Sequence, residues 1–395
     1  MLTEILIENV KCFEKLHLPL APLTLLTGTN ATGKSTVLQS LALLHQTTVE
    51  SEWSKTLILN ASMLSLGTAS DLIDQITGQR EFKIGLQSEA WECLWTMEAQ
   101  DRQSLSVPIR RIAWREKEHW ENVMINVQEN GERLRYLLPA TILEKSIHAK
   151  QLATMLSGLT YISADRLGPR ETYPLSTPDQ HQTVGSRGEL TPWFLYQFAD
   201  KRPPEELILP DFPPTLQRQT EAWMKAFFPG TTLMLEPVKG ANLITLGIRT
   251  HDATNFHRPQ NVGYGLSYVL PIITACLGVN RGDVIMVENP EAHLHPSGQA
   301  AMGEFLAKSA AAGCQIIIET HSDHILNGIR RSIKKGILRH EQAAIHFFMP
   351  REEEHQEVSQ VFSPLIDQNG NLDQWPAGFF DQFDQDTAFL IGWEE

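Results

Sequence analysis

The run Gly28-Thr29-Asn30-Ala31-Thr32-Gly33-Lys34-Ser35 satisfies every fixed position of the pattern G-x-x-x-x-G-K-[ST]. An apolar stretch at 23–26 precedes it and an apolar-periodic stretch at 37–44 follows. This is the strand–loop–helix setting in which the pattern has physical meaning. Glycines let successive backbone N–H groups turn inward, and the positive end of the following helix points at the same spot, so a polyphosphate can be cradled. In that role Lys34 reaches the outer phosphates, while the Ser35 hydroxyl, followed by Thr36, faces a Mg²⁺ ion.

The 395 residues suit two or three domains, or one large α/β domain carrying an inserted lobe. A net charge of −14 argues against a surface coated for nucleic acid, although a local basic patch fits within it. Four cysteines, Cys12, Cys93, Cys276 and Cys314, lie far apart without C-x-x-C spacing. They point to a reducing compartment and to neither a disulfide frame nor a zinc site. Residues 1–10 carry Glu4 and Glu8 with no basic flank, unlike a secretory signal. Residues 261–280 are uncharged, but Gly263, Gly265, Pro271 and Gly278 punctuate them, which favours a buried helix after a glycine turn over a membrane span. A cytoplasmic chain without membrane contact is expected.

Residues 2–26 read as two short strands about a turn at 11–15, and the phosphate-loop helix runs to about Gln46. From 81 to 138 the period changes to two: Phe82-Ile84-Leu86, Val107-Ile109, Ile112-Trp114 and Val123-Ile125-Val127 alternate, with a turn signal at Glu129-Asn130-Gly131. This predicts an antiparallel meander, in which Trp91, Trp95, Trp114 and Trp120 pack. A helix is expected over 143–156, a strand over 159–162, loop with some helix over 168–215, a helix over 215–228 and a strand pair about Gly240 over 238–248. Thereafter strands at 284–287, 315–318 and 346–349 alternate with helices at 297–312 and 323–335, the signature of parallel βαβ units. Residues 351–357 read as a solvated loop.

Residues 283–291 form an apolar strand ending in carboxylates, Glu288 and Glu291, flanking Asn289-Pro290. The strand at 315–318 ends in Glu319-Thr320-His321-Ser322 and delivers Thr320 and His321 to the same sheet edge. Between the two halves, residues 262–271 make a glycine-loosened turn with Ser267 at a helix start. Together these segments resemble the ABC-type ATPases of the SMC/RecF/OLD-like branch. Asn30 matches that branch's G-x-N-x-x-G-K-S, residues 288–296 resemble its Walker B motif and D-loop, Thr320-His321-Ser322 its switch histidine, and residues 263–267 its signature motif. The tail at 373–381 is similar to a C-terminal module of unknown function attached to bacterial ATPases of this kind, and the loop 161–170, with Asp165 and Arg166, fits the same subgroup.

The resemblance implies an α/β fold: a P-loop ABC-type ATPase head with a mostly parallel sheet flanked by helices, plus an antiparallel β-meander lobe. Its segments are 1–80 (head, with Walker A), 81–155 (inserted lobe), 156–345 (head, with signature, Walker B and switch histidine) and 346–395 (C-terminal module). It implies ATP and Mg²⁺ as cofactors. Gly28, Thr29, Asn30, Ala31, Thr32, Gly33, Lys34, Ser35 and Thr36, with Gly265 and Ser267, would hold nucleotide. Ser35 and Glu288 would hold metal, and Glu288, Glu291 and His321 would serve catalysis. One departure stands out: the usual Asp-Glu pair is Glu288-Asn289 here, and an amide cannot accept a proton from water. Glu288 or Glu291 must then be the base, and slow turnover is expected.

The resemblance further implies a head-to-tail homodimer, open to higher-order assembly, with each ATP held between Lys34 of one subunit and Ser267 of the other. The function expected first is a regulatory ATPase of bacterial anti-phage defence, similar to those of the Septu, PARIS or Gabija type, controlling a separate nuclease or toxin. A RecF/SMC-like DNA-maintenance ATPase is the alternative. The long separation of Lys34 from Ser267 and the lack of an L-S-G-G-Q signature disfavour a transporter subunit. DNA remains a partner to consider because Arg330, Arg331, Lys334, Lys335 and Arg339 form a basic stretch, otherwise a solvated helix face. His293, His295, His321 and His324 also admit a metallohydrolase reading, outweighed by D-loop packing and phosphate sensing. Gln46 and the Leu66-Gly67 region compete for a Q-loop-like role.

Overall fold

Apolar runs without polar alternation, such as Ile316-Ile317-Ile318, need burial on both faces, which a parallel sheet between helices supplies. The computed structural model of the protein describes residues 1–116, 122–127, 131–177, 183–251, 253–351, 360–376, 378–380 and 382–391. Expectations for Trp120, the Glu129-Asn130 turn, residues 352–357, Ala377 and Asp381 lie outside them. The parallel sheet runs Thr160–Ile162, Val284–Glu288, Gln315–Glu319, Leu23–Gly28, Ala343–Phe348, with Val361–Phe362 added antiparallel at the far edge. Alternate residues face two cores. Val284, Met286, Ile317 and Phe348 point to one shared with the helices Lys34–Glu50 and Ile147–Gly158. Ile285, Val287, Ile316 and Ile318 point to the other, shared with the helices Tyr264–Gly278, Pro296–Ala311 and Asp323–Lys334.

The antiparallel sheet runs Phe13–Pro19, Leu2–Val10, Glu81–Ser88, Trp91–Glu98, Ser106–Glu116. Thr56–Ile58 pairs with the first part of the last strand and Asn122–Asn126 with its second part. The two sequence runs at 107–109 and 112–114 are one strand. A register shift opposite Thr96 and Met97 pairs them with Arg111 and Ile109, leaving Arg110 bulged. The extra residue moves the buried positions from Val107 and Ile109 to Ile112 and Trp114. The strands Leu2–Val10 and Phe13–Pro19 thus share a sheet with residues 81–126.

A third small sheet holds the hairpin Thr232–Pro237 and Leu243–Arg249, with Tyr173–Pro174 beside it. The expected strand pair about Gly240 is therefore offset. Residues 238–242 form the turn, closed by Val238 N–H to the Leu243 carbonyl at 2.8 Å, and the first arm lies before it. The expected helix over 143–156 is two helices, Ala140–Lys145 and Ile147–Gly158, because Ser146 ends one and caps the other by accepting from Ala149 N–H.

Toward the C-terminal end, Phe379 packs edge-on against Phe347, and Trp375 and Phe380 pack against Phe379. Arg330 lies over the Trp375 ring and donates to the Gly370 carbonyl at 2.6 Å. His346, next to the phosphate-loop strand, hydrogen-bonds the Pro19 carbonyl at 2.8 Å and the Ser363 hydroxyl at 2.7 Å. Burial pushes its imidazole down to about 4. The unfolded ring takes a proton below about 6.5, so stability is full above that pH and falls as the pH drops toward 4. Between about pH 7 and about pH 5 this ring should cost about 2 kcal/mol. Denaturant unfolding of His346→Gln should lack that loss; equal losses in variant and wild type would count against the assignment.

Candidate functional site

The strand Leu23–Gly28 ends where only glycine fits. Gly28 has φ 134°, and a Cβ there would lie 2.2 Å from the Phe348 carbonyl oxygen of the neighbouring strand. Gly33 has φ 100°, and a Cβ would meet the Phe13 ring at 2.4 Å and Cys12 Sγ at 2.5 Å. The loop is therefore seated on both sheets at once. The helix Lys34–Glu50 starts with no side-chain cap, leaving the positive end of its first turn open to an anion. Lys34 is buried and donates to the Gly28 carbonyl at 3.1 Å and the Thr29 carbonyl at 2.6 Å. Burial lowers its pKa, and the charge of Glu319 opposes that shift. Thr32 donates to the Thr29 carbonyl at 2.8 Å, tightening the loop that holds Asn30 and Ala31.

Glu288 and Glu319 are register partners on adjacent strands, and Glu319 is also paired with Leu26 on the phosphate-loop strand. The strand order thus puts Glu319 between Glu288 and the loop. Ser35 Oγ donates to Glu319 Oε1 at 2.9 Å, while Oε2 is buried without a hydrogen-bond partner. Burial first, then the charge of Glu288, pushes the Glu319 carboxyl up to about 7. Glu288 accepts from the Tyr161 hydroxyl at 2.8 Å and Ala164 N–H at 2.9 Å. Burial, reinforced by Glu288, keeps the Tyr161 hydroxyl protonated. Arg166, fully buried, donates to the carbonyls of Glu288 at 2.7 Å and Asn289 at 2.5 Å and lies over the Tyr268 ring. Burial lowers its pKa to about 10. Asn289 adopts φ 44°, and its Oδ1 is buried without a partner.

Glu291 accepts from Thr320 Oγ1 at 2.8 Å and from His321 N–H at 2.9 Å. His321 lies beside the loop: burial and the charge of Lys34 lower its pKa, while Glu291 and a Gly28 backbone hydrogen bond oppose this. Gly265 and Ser267 belong to a neighbouring cluster. A Cβ on Gly265 would lie 2.9 Å from the His293 carbonyl oxygen, and His293 packs against Tyr264 and Tyr268. Ser267 is buried, and its Oγ has no hydrogen-bond partner.

Other candidates resolve differently. His295 caps the helix Pro296–Ala311, and among the described residues no group of three His, Cys, Asp or Glu side chains could hold a metal ion. Gln46 donates to the Ile58 carbonyl and accepts from Leu64 N–H, so it ties local structure together. In the basic stretch, Arg331 and Lys335 both pair with Glu304, and Arg330 holds the C-terminal segment. Sequence reading passed over Glu319. Its signal was its place at a strand tip just before Thr320-His321.

Comparisons with known proteins bear on a sheet edge assembled in this way. Residues 1–131 match the AAA ATPase domain family. Residues 169–327 match the family described as "AAA domain, putative AbiEii toxin, Type IV TA system", and residues 338–390 match DUF3696, a family of unknown function. Comparison with curated proteins finds no match. The chain is similar to a crystal structure of the Smc head bound to the C-winged helix domain of ScpA, at 12% identity and TM-score 0.52, covering 92% of this chain and 97% of that one. It is also similar to the Smc head domain with an extended coiled coil bound to the C-terminal domain of ScpA, derived from Pyrococcus furiosus, at 11% identity and TM-score 0.51, covering 100% and 99%. The chain thus carries AAA ATPase domains on an SMC-head-like α/β fold, with a C-terminal DUF3696 domain.

Gly28→Ala should cost about 2–4 kcal/mol, since its Cβ meets backbone at an unfavourable φ. Gly240→Ala, at φ 80° with nothing within 4 Å of the added Cβ, should cost about 1 kcal/mol. Denaturant unfolding of the two variants compares them; equal costs would contradict the seating of the loop.

Proposed function

We propose that this protein binds ATP, hydrolyses it slowly, and closes as a head-to-tail homodimer while nucleotide is held. One observation supports slow turnover above the others: Asn289 stands beside Glu288 at the strand tip, where its amide oxygen can orient a water but cannot take its proton. Lys34 and the first-turn N–H groups hold the phosphates, and His321, beside Lys34 and Gly28, holds the outermost one. Glu291 positions that histidine through Thr320 and the His321 N–H. With Glu291 so engaged and Glu319 turned to Ser35, Glu288 is the carboxylate assigned to accept the proton.

Mg²⁺ would be held by Ser35 and Glu288, and the unpartnered Glu319 oxygen beside Ser35 fits a hard cation. When bound, the ion would supply positive charge to offset that of the phosphates. Ser267 and its glycine turn serve the nucleotide of a second copy once closure exposes the Ser267 hydroxyl, which in the single chain is buried and lacks a partner. ATP affinity then drives subunit closure, a two-state change another protein can read.

The reader is a separate effector, a nuclease or toxin, in a bacterial anti-phage system located in the cytoplasm. The family matched by residues 169–327, described by its AbiEii toxin relationship, supports that assignment. No helix among the described residues is long and apolar enough to cross a membrane. For the DNA-maintenance alternative, Arg330, Arg331 and Lys335 have partners within the chain, while Lys334 and Arg339 of the same stretch are exposed.

Single-turnover assays should show Asn289→Glu accelerating hydrolysis at least about tenfold and Glu288→Gln slowing it about a hundredfold or more. Rates unchanged in both variants would remove this reading of the site. The mass of Glu288→Gln should double with ATP and Mg²⁺, and Ser267→Arg added to it should prevent doubling without loss of nucleotide. A persistent monomer at saturating ATP would sink the dimer.

A further inference from the structure

Glu319 has one satisfied oxygen and one orphan. Oε1 accepts from Ser35, while Oε2 is buried and has no hydrogen-bond partner. The residue is only 6% exposed, so this is an unusual place for an unmet acceptor. None of the nearby donors reaches it. Lys34 donates to the Gly28 and Thr29 carbonyls, Thr320 Oγ1 to Glu291, and Asn289 N–H to the backbone oxygen of Glu319. The register partner on the far side is a second carboxylate, Glu288. Two acidic groups therefore lie at neighbouring strand tips, with a serine hydroxyl against one of them.

Resting on the ATPase reading above, we propose that Glu319 is a metal-holding carboxylate of this site, its Oε2 joining Ser35 and Glu288 in an all-oxygen seat for a divalent cation. Oxygen donors of this kind suit Mg²⁺ or Mn²⁺ rather than a softer metal. Ser35 donates its proton to Oε1, which turns the hydroxyl lone pairs away from Glu319 and leaves them for the cation. The ion supplies the positive charge that lets two adjacent carboxylates stay buried together. Glu319 thus both orients Ser35 and contributes an oxygen of its own, and its strand lies closer to the phosphate loop than that of Glu288.

Mn²⁺ binding to the full chain, followed by electron paramagnetic resonance with a non-hydrolysable ATP analogue, tests this without turnover. Glu319→Gln keeps an acceptor for Ser35, so nucleotide affinity in EDTA should stay within about twofold of wild type. Its Mn²⁺ affinity should fall about tenfold or more, and its metal-free thermal midpoint should equal or exceed that of wild type. Glu319→Asp should retain part of the affinity. Wild-type Mn²⁺ affinity in Glu319→Gln, alone or with a lowered metal-free midpoint, would overturn the proposal and leave Glu319 a structural residue. Loss of Mn²⁺ in Ser35→Ala but not in Glu319→Gln would also overturn it while sparing the ATPase reading. A wild-type chain that binds neither nucleotide nor Mn²⁺ would overturn both.

Discussion

Leu26, Glu319 and Glu288 lie side by side because three parallel strands run in register, and the chemistry at the sheet edge depends on that alignment. A slip of one residue would turn Glu319 toward the opposite core face. Buried apolar partners, such as Ile317 with Met286 and Ile318 with Leu25, hold the register along the strands. Gln315 fixes their start: its side chain accepts from Leu2 N–H at 2.8 Å and donates to the Leu2 carbonyl at 2.7 Å. One glutamine thereby ties the parallel sheet to the first strand of the antiparallel one.

The phosphate loop inherits its shape from both sheets. Gly28 lies against the backbone of Phe348, and Gly33 lies against Cys12 and Phe13. Phe13 and Phe348 meet edge to face at a centroid separation of 6.1 Å, so the two seats touch. The strand carrying Phe348 also carries His346 and Phe347, which hold the C-terminal segment. A movement of that segment would therefore reach the loop through a single strand. On the other side of the sheet edge, Arg166 fixes the carbonyls of Glu288 and Asn289 and stacks on Tyr268, one residue from Ser267. The strand tip at Glu288 and the glycine turn before Ser267 are thus joined by one buried guanidinium.

Much of this was legible in the sequence where the cause is local. The glycines and lysine of the loop and the alternation of strands and helices after residue 280 each follow from neighbours in the chain. The role proposed for Glu319 is not local. It depends on its strand lying between those of Leu26 and Glu288, an order no pattern within residues 315–319 contains. The bulge at Arg110 was hidden for a related reason: two short runs of opposite parity look like two strands until a partner shows the shift. Gln46 looked available because its partners, Ile58 and Leu64, lie beyond the helix that carries it.

The proposed function turns on nucleotide bridging two copies through Lys34 of one and Ser267 of the other. A crystal structure of the protein with a non-hydrolysable ATP analogue and Mg²⁺ is the most direct measurement. The expected result has the triphosphate on Lys34 and the first turn of its helix, with Ser267 of the partner subunit against the same terminal phosphate. Nucleotide bound away from Lys34, or a single copy whose Ser267 meets no phosphate, would contradict it.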